Sequence, residues 1–265
     1  MKKTLTALCL LIFSSTAYAI MNGRSANLEL AATTVKIISE GGNEKCTAVI
    51  VDPHLLFTAG HCTEGISNQK IKIKITNLTD GSNVHLLHVL KWDTAIGYTN
   101  SESKVFSDVQ NDFAYILIKE DLLATFSINP SQVPILISSP ADLHLALTDT
   151  AMNATAYGYG DFDKKLHDGE KKEVVMSLTT LANTSVLSAK SLEETIGICH
   201  GDSGGGIFIK GNEGGILLAG IVSGISQGEK CGSAKSAAFY APIYRHLCWV
   251  QTQTKIHFNN SYCPN

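Results

Sequence analysis

Many short segments of alternating apolar and polar residues make up this chain, and that pattern restricts its fold more than any other feature. The clearest segment is 70–76, where isoleucines alternate with three lysines. Strict alternation places the isoleucines on one face of a β-strand and the lysines on the other. Turn formers such as Asp80-Gly81-Ser82-Asn83 separate the segments. The pattern predicts an all-β barrel or sandwich, with the lysine face exposed to solvent.

The other predicted strands fall into two groups on either side of a break at residues 125–134. Asn129-Pro130-Ser131 interrupts the apolar pattern at that break. The predicted strands are 35–38, 46–51, 84–90, 113–118, 155–160, 174–181, 206–210 and 216–223.

The first nineteen residues have the three parts of a bacterial export signal. Lys2 and Lys3 give a positive start, 5–13 is an apolar run, and Ala17-Tyr18-Ala19 is a cleavage site of the A-x-A type. The apolar run is too short to span a bilayer. We therefore expect a signal peptide at 1–19 and a mature chain, exported to the periplasm or the medium, that begins at Ile20.

Seven cysteines are present, and removal of the signal takes Cys9 away and leaves six. An even number in an exported chain predicts three disulfides, for which fifteen connectivities exist. The sequence contains no C-x-x-C spacing, which would favour a metal site. The formal net charge of −3 gives no reason to expect nucleic acid as a partner.

A glycine-rich stretch, Cys199-His200-Gly201-Asp202-Ser203-Gly204-Gly205-Gly206, holds a candidate nucleophile. Glycines allow a tight backbone that aims N–H groups at one point, as the stabilisation of an oxyanion requires. A serine there becomes a nucleophile only if a base accepts its proton. Taken alone, the stretch is also compatible with a glycine-rich turn that happens to contain a serine.

Two upstream motifs supply the missing partners: Thr58-Ala59-Gly60-His61-Cys62 and Asn111-Asp112-Phe113-Ala114. The order His61, Asp112, Ser203 is one of the known orders of a Ser-His-Asp triad. These motifs resemble those of the trypsin and chymotrypsin-like serine protease family. The G-x-S-x-G elbow of α/β-hydrolases also fits residues 201–205, but that fold requires strand–helix alternation and places the histidine last.

The resemblance implies two six-stranded antiparallel β-barrels and a short C-terminal helix near 243–250. The protease domain would be 20–265, with a first barrel at 20–130 that carries His61 and Asp112. The second barrel, 131–265, would carry Ser203. The site would lie in the cleft between the barrels.

The family pattern also assigns roles. Ser203 attacks the carbonyl, His61 transfers the proton, and Asp112 orients the imidazole, while the N–H groups of Gly201 and Ser203 form the oxyanion hole.

The resemblance further implies that a freed Ile20 amine pairs with Asp202, although Met21 and Asn22 depart from the usual sequence there. The alternative is that Ile20 only leads into a strand. The implied disulfides are Cys46–Cys62 and Cys199–Cys231, which leaves Cys248 and Cys263 to pair.

The implied specificity pocket carries no acid that could bind a basic side chain. We therefore expect uncharged residues before the scissile bond. His200 would lie at the lip, either touching substrate or solvated. The pocket residues are Gly197, Ile198, His200, Ser223 and Gly224, with Ala237 or Ala238 as the third wall.

The function that follows is a secreted serine endopeptidase acting on proteins or peptides. We expect a monomer without cofactor or metal, and without membrane association after signal removal. A catalytically inactive binding protein of the same fold is the alternative, and the intact triad argues against it.

Overall fold

A computed structural model of the chain describes residues 20, 23–27, 29–38, 45–64, 66, 70–74, 84–99, 106–160, 171–211, 214–226, 231, 236–258 and 263. The predicted signal peptide, 1–19, lies outside the described residues. Within them, no helix has the length and the apolar character needed to cross a bilayer.

The described residues form fourteen strands. They are β1 (Arg24–Ser25), β2 (Thr34–Ile38), β3 (Lys45–Asp52), β4 (Leu55–Thr58), β5 (Lys70–Lys74), β6 (Val84–Thr94), β7 (Ala114–Ile118), β8 (Ile135–Leu136), β9 (Asn153–Gly158), β10 (Lys172–Thr180), β11 (Leu187–Ser191), β12 (Gly206–Lys210), β13 (Ile216–Ile225) and β14 (Ala238–Pro242).

Helices are short and lie between or after the strands. The α-helices are α1 (Phe106–Asn111), α2 (Leu122–Phe126), α3 (Pro140–Asp149) and α4 (Leu247–Thr254), and the 3-10 turns are Gly60–Thr63, Pro130–Gln132 and Ile243–Arg245.

Strands β2 to β7 close into a barrel in the order β2-β3-β4-β7-β6-β5, and all neighbours are antiparallel. The alternation predicted for β5 is confirmed where its side chains are described. Ile71 and Ile73 are buried in the barrel core, and Lys72 between them is only half-buried.

The later strands close a second barrel, because β9 pairs with both β12 and β10 at the two ends of the order β10-β11-β14-β13-β12-β9. Two short strands extend it: β1 pairs with β10, and β8 runs parallel to β13. The predicted fold of two six-stranded antiparallel barrels with a C-terminal helix is therefore confirmed. The first described strand of the chain thus pairs with the second barrel.

Helix α3 is the largest element that the alternation pattern does not predict. Ser139 caps it by accepting the N–H of Asp142 on its hydroxyl, and Pro140 occupies the first turn, where no N–H is needed. Leu143, Ala146 and Leu147 bury one face of the helix against the second core. The predicted strand 155–160 also ends earlier, at Gly158.

The two barrels meet along one face of β2. Val35 and Ile37 point into the first core, so Thr34 and Lys36 point out of it. Both are nevertheless buried, with Lys36 only 5% exposed. The cover comes from the second barrel, where the Tyr159 hydroxyl donates to the Thr34 carbonyl at 3.2 Å. This contact surface, the barrel seam, brings together the loops that carry the candidate catalytic residues.

Three disulfides are present, as predicted. Their Cα–Cα distances of 6.0, 4.9 and 5.1 Å lie in the usual range. The bonded pairs are Cys46–Cys62, Cys199–Cys231 and Cys248–Cys263.

Candidate active site

His61 lies in the 3-10 turn that follows β4, at the barrel seam. The N–H of Cys62 bonds the Ala59 carbonyl at 3.1 Å, and the Cys46–Cys62 disulfide ties the turn to β3. About a quarter of the His61 side chain is exposed. The turn thus presents the imidazole at the surface on a fixed backbone.

Asp112 follows α1 and is fully buried. Its Oδ1 accepts the backbone N–H of His61 at 2.9 Å, and its Oδ2 lies 2.8 Å from His61 Nδ1. An ionised carboxylate only accepts hydrogen bonds, so the ring proton belongs on Nδ1. In the neutral imidazole, Nε2 then carries no proton and can accept one.

Ser223 supplies a third hydrogen bond to the same carboxylate. Its hydroxyl donates to Asp112 Oδ2 at 2.6 Å, and the residue is 3% exposed. The sequence placed Ser223 only in the specificity pocket. The bond joins residues 111 positions apart in different barrels, and no local sequence pattern signals it.

The Ser203 loop is fastened to the first barrel by Thr47 of β3. Thr47 N–H donates to the Ser203 carbonyl at 2.8 Å, and its hydroxyl donates to the Gly201 carbonyl at 2.9 Å. Cys62 Sγ lies 3.6 Å from the Ser203 carbonyl oxygen. The loop therefore rests against the turn that carries His61.

Gly204 permits this close approach. A Cβ there would lie 2.2 Å from the Thr47 carbonyl oxygen and from the Thr58 hydroxyl, and φ is +82°. Any side chain would push the loop away from β4, three residues before His61. Within the described residues Ser203 Oγ makes no hydrogen bond. Catalytic hydrogen bonds often tighten only when substrate is bound.

The backbone N–H groups of the Ser203 loop alternate between bonded and free. Asp202 donates its N–H to the Cys199 carbonyl at 3.1 Å, and Gly204 donates to Val222 at 2.8 Å. Among the described residues, the N–H groups of Gly201 and Ser203 find no protein acceptor. Two neighbouring free donors on a fixed loop form an anion-binding arrangement.

Asp202 is the second fully buried carboxylate of the site. Its Oδ1 accepts the N–H of Gly160 at 2.7 Å, and its Oδ2 accepts that of Cys199 at 2.9 Å. Burial raises the pKa of Asp202 to about 7. The two N–H donors, the charge of Lys36 and the N–H of Ile20 act against that rise and favour the ionised form.

Gly160 and Gly158 make room for this carboxylate. A Cβ on Gly160 would lie 2.6 Å from Asp202 Oδ2, and one on Gly158 would lie 2.1 Å from Oδ1. The sequence singled out these glycines only as part of a strand motif, and their role around Asp202 needs the three-dimensional structure.

Ile20 is fully buried in the core of the second barrel. Its N–H bonds Asp202, and its carbonyl accepts the N–H of Gly23 at 2.6 Å. The φ of Ile20 is +43°, which is a strained conformation for a β-branched residue. The pair predicted from the resemblance is thus in contact in the structure.

The predicted pocket residues lie on two adjoining segments. Gly197, Ile198 and Ser223 are buried, His200 is exposed, and a Cβ on Gly224 would meet open space. The Cys199–Cys231 disulfide links the serine loop to the segment beyond β13. Ala237 and Ala238 are buried. Apart from His200, none of these residues has an ionisable side chain.

Two other features of the described residues carry no assigned chemistry. Cys46, His61 and Cys62 place ligand-type atoms within 4.8 Å of one another, but the two sulfurs are bonded to each other and offer no thiolate. A cavity of about 310 Å³ lies between α3 and the β12–β13 hairpin, and none of its lining residues belongs to the site described above.

Comparisons with known proteins bear on the family to which this chain belongs. The family model of trypsin matches residues 20–250. Vitamin K-dependent protein C of Mus musculus is 24% identical over 226 residues, which are 78% of this chain and 45% of that protein. An uncharacterized peptidase of Corynebacterium glutamicum is 24% identical over 258 residues, which are 93% and 77% of the two chains.

A third relative is similar over a shorter stretch. The snake venom serine protease serpentokallikrein-1 of Protobothrops mucrosquamatus is 35% identical over 71 residues, 27% of this chain and 25% of that protein. The chain thus spans less than half of the length of the mouse relative. The family model covers most of the chain, and the fold of two β-barrels agrees with it: the chain belongs to the trypsin family.

Proposed function

We propose that this protein is an exported serine endopeptidase that uses Ser203, His61 and Asp112 to hydrolyse peptide bonds. The observation that carries the proposal is the 2.8 Å contact between His61 Nδ1 and Asp112 Oδ2, at a seam where the Ser203 loop packs against the His61 turn. It fixes the tautomer in which Nε2 accepts a proton.

In the acylation step, Ser203 Oγ attacks the carbonyl carbon and its proton moves to His61 Nε2. Asp112 stabilises the imidazolium that forms. The carbonyl oxygen becomes an oxyanion, for which the free N–H groups of Gly201 and Ser203 are the donors. His61 then gives its proton to the departing amine, and the acyl group stays on Ser203.

In the deacylation step, water replaces the amine. His61 removes one proton from the water, the hydroxide attacks the acyl carbon, and the same donors hold the second oxyanion. Collapse releases a carboxylic acid and returns the proton to Ser203 Oγ. Both halves use the same groups, so no cofactor is needed.

We propose further that signal removal before Ile20 activates the enzyme. The Ile20 N–H already bonds Asp202, so cleavage would turn that donor into an ammonium beside a buried carboxylate. Cleavage would also remove the peptide bond that precedes Ile20, and with it the strained φ of +43°. The buried Ile20 side chain contributes about 1.5–3 kcal/mol to this docking.

N-terminal extension tests this step. A secreted chain that keeps Ala19 before Ile20 should lose most of its activity, while an Ile20→Val chain should keep it, because valine still fills the site. N-terminal sequencing identifies the start of each chain. Equal activity of the extended and the mature chain would refute activation by signal removal.

We propose a preference for uncharged side chains before the cleaved bond. Gly197, Ala237 and Ala238 offer no counter-charge, and an unpaired basic side chain is costly to bury. A peptide series that varies only that residue should give higher kcat/KM for alanine, valine or leucine than for arginine. Faster cleavage after arginine would overturn the preference.

The remaining assignments follow from the sequence. Residues 1–19 would be the signal, and 20–265 the protease domain, divided near residue 130. Three disulfides favour an oxidising compartment, so the periplasm or the medium is the proposed location. Substrates would be proteins or peptides, and the enzyme would act as a monomer.

Hydrolysis of an unfolded protein substrate tests the function. The wild type should cleave it, Ser203→Ala should not, and Ser131→Ala, an exposed serine, should match the wild type. A folded wild type that begins at Ile20 and cleaves none of a broad peptide panel would refute the proposal. That result would favour the non-catalytic binding protein, whose binding should survive Ser203→Ala.

A further inference from the structure

His246 contacts Gln110, two residues before Asp112, and Phe113, the residue after it. It occupies the N-cap position of α4 in the second barrel, without a capping hydrogen bond from its side chain, and is 5% exposed. Its Nε2 lies 2.9 Å from the Gln110 carbonyl oxygen, at the end of α1. Its ring stacks on Phe113, with centroids 4.5 Å apart and planes at 13°.

The direction of this hydrogen bond is fixed by chemistry. A carbonyl oxygen can only accept, so Nε2 must carry the proton. Burial lowers the pKa of His246 to about 4, and the ring is therefore neutral near pH 7. His246 is thus a neutral hydrogen-bond donor near pH 7. It is suited to hold the Gln110 carbonyl in place, and not to transfer protons.

The segment that carries Asp112 needs such support. Helix α1 has six residues, which is too short to be stable by itself. From the first barrel, Thr99 donates to Asp108 at 2.9 Å, and Asn111 makes a long contact of 3.4 Å with the Gly97 carbonyl. His246 supplies the support from the other side of the seam.

Two contacts therefore reach Asp112 from the second barrel. Ser223 bonds the carboxylate itself, and His246 fixes the backbone on both sides of it. Ser203 also belongs to the second barrel. The second barrel, which carries Ser203, therefore also helps to set the orientation of the His61–Asp112 pair.

We propose that His246 is a positioning residue that sets Asp112, and through it His61, in register with Ser203. This proposal rests on the function proposed above. A shift of about 1 Å in a catalytic group can reduce the rate by up to about 10²-fold. Loss of one positioning hydrogen bond should therefore reduce kcat while KM, which reflects the substrate pocket, changes little.

Two variants separate the hydrogen bond from the ring. His246→Phe keeps the stacking on Phe113 and loses the donor, and its kcat should fall about tenfold with KM within about twofold. His246→Gln keeps an N–H that reaches the Gln110 carbonyl and should retain at least about a third of kcat. His257→Gln, an exposed histidine beyond the same helix, is the matched control and should match the wild type.

All rates are divided by the number of serines that a fluorophosphonate titrates, so misfolded protein does not count. The acid limb of the kcat/KM profile should move to lower pH in His246→Phe, because a displaced Asp112 stabilises the imidazolium less. Unchanged kcat and an unchanged limb in a folded His246→Phe would overturn the proposal. A lowered Tm in both variants without a change in kcat per titrated serine would also overturn it.

A second readout does not depend on activity. In a Ser203→Ala background, the proton NMR signal of the His61 Nδ1–H bonded to Asp112 should shift or broaden in His246→Phe and remain in His246→Gln. An unchanged signal would contradict the positioning role. If the wild type proves inactive, the proposed function fails, but this signal still tests whether His246 positions Asp112 and His61.

Discussion

Two buried carboxylates stand in this site, and they are held in opposite ways. Asp112 is bound by side chains, His61 Nδ1 and the Ser223 hydroxyl, together with one backbone N–H. Asp202 is bound by backbone N–H groups from Gly160, Cys199 and Ile20.

The difference indicates what each carboxylate would do in the proposed mechanism. Asp112 would act on a side chain that must pick up a proton, so its contacts determine the tautomer and orientation of one imidazole. Asp202 acts on the shape of the loop that contains Ser203. Backbone donors from three separate segments converge on it, which makes it the point where those segments are joined.

The largest effect should come from Asp112→Asn. An amide has one acceptor oxygen, so it cannot accept both the backbone N–H and the Nδ1–H of His61, and the wrong tautomer is favoured. We expect kcat to fall by about 10⁴-fold with the fold intact. Steady-state kinetics and circular dichroism measure this. Asp93→Asn, on an exposed carboxylate, is the control, and a loss below tenfold in Asp112→Asn would contradict the proposed role of Asp112 in orienting His61.

Asp202 should instead influence the pH dependence of stability before cleavage. The pKa of Asp202 in the folded chain is about 7, against an ordinary value of 3.8. Between about pH 4 and pH 7 the folded chain therefore keeps a proton on Asp202 that the unfolded chain releases. The contribution of Asp202 to stability is therefore greatest below about pH 4 and is lost, by on the order of 4 kcal/mol, as pH rises to 7.

Urea unfolding of an uncleaved Ser203→Ala chain at several pH values measures that slope. The same chain with Asp202→Asn should lose this contribution, whereas Asp93→Asn should keep it. The same slope in the Asp202→Asn chain would show that another group causes it.

Gly160→Ala should disturb Asp202 and leave Asp112 in place. The added methyl would lie 2.6 Å from Asp202 Oδ2, so the carboxylate must move and the oxyanion donors move with it. We expect a loss of about 10²-fold in kcat and about 1–3 kcal/mol in stability. Gly211→Ala, where the Cβ would lie 3.3 Å from the Gly215 carbonyl oxygen, is the control and should keep the kcat of the wild type. Similar activity of the two variants would contradict the role of Asp202.

The smallest effect should come from Ser223→Ala. Asp112 Oδ2 then loses the Ser223 hydrogen bond and retains the one from His61, and one buried bond is worth about 1 kcal/mol. We expect kcat to fall about five- to tenfold with little change in Tm. Ser191→Ala in β11 is the control. An unchanged kcat would mean that His61 alone is sufficient to orient the carboxylate.

The sequence predicts the barrels because alternation is a local property. Ile71 and Ile73 are buried as that pattern requires, and the three motifs point to His61, Asp112 and Ser203 as the candidate triad. Helix α3 could also have been predicted from the sequence. Ser139 followed by Pro140, with Leu143, Ala146 and Leu147 at helical spacing, is the signature of a capped amphipathic helix.

The sequence does not predict the contacts across the barrel seam. Lys36 alternates like a solvent-facing strand residue, yet it is buried because the second barrel covers that face of β2. Likewise Ser223 and His246 lie more than a hundred positions from Asp112. Only packing of the two barrels brings them to it, and no periodicity or motif records that packing.

The most direct test is covalent labelling of the secreted protein with a fluorophosphonate probe, read by intact mass and by peptide mapping. We expect one adduct, on Ser203, in a chain that begins at Ile20 and contains three disulfides. Labelling should be absent in Ser203→Ala and nearly absent in Asp112→Asn. A folded chain that begins at Ile20 and takes up no probe, or one labelled at another serine, would contradict it.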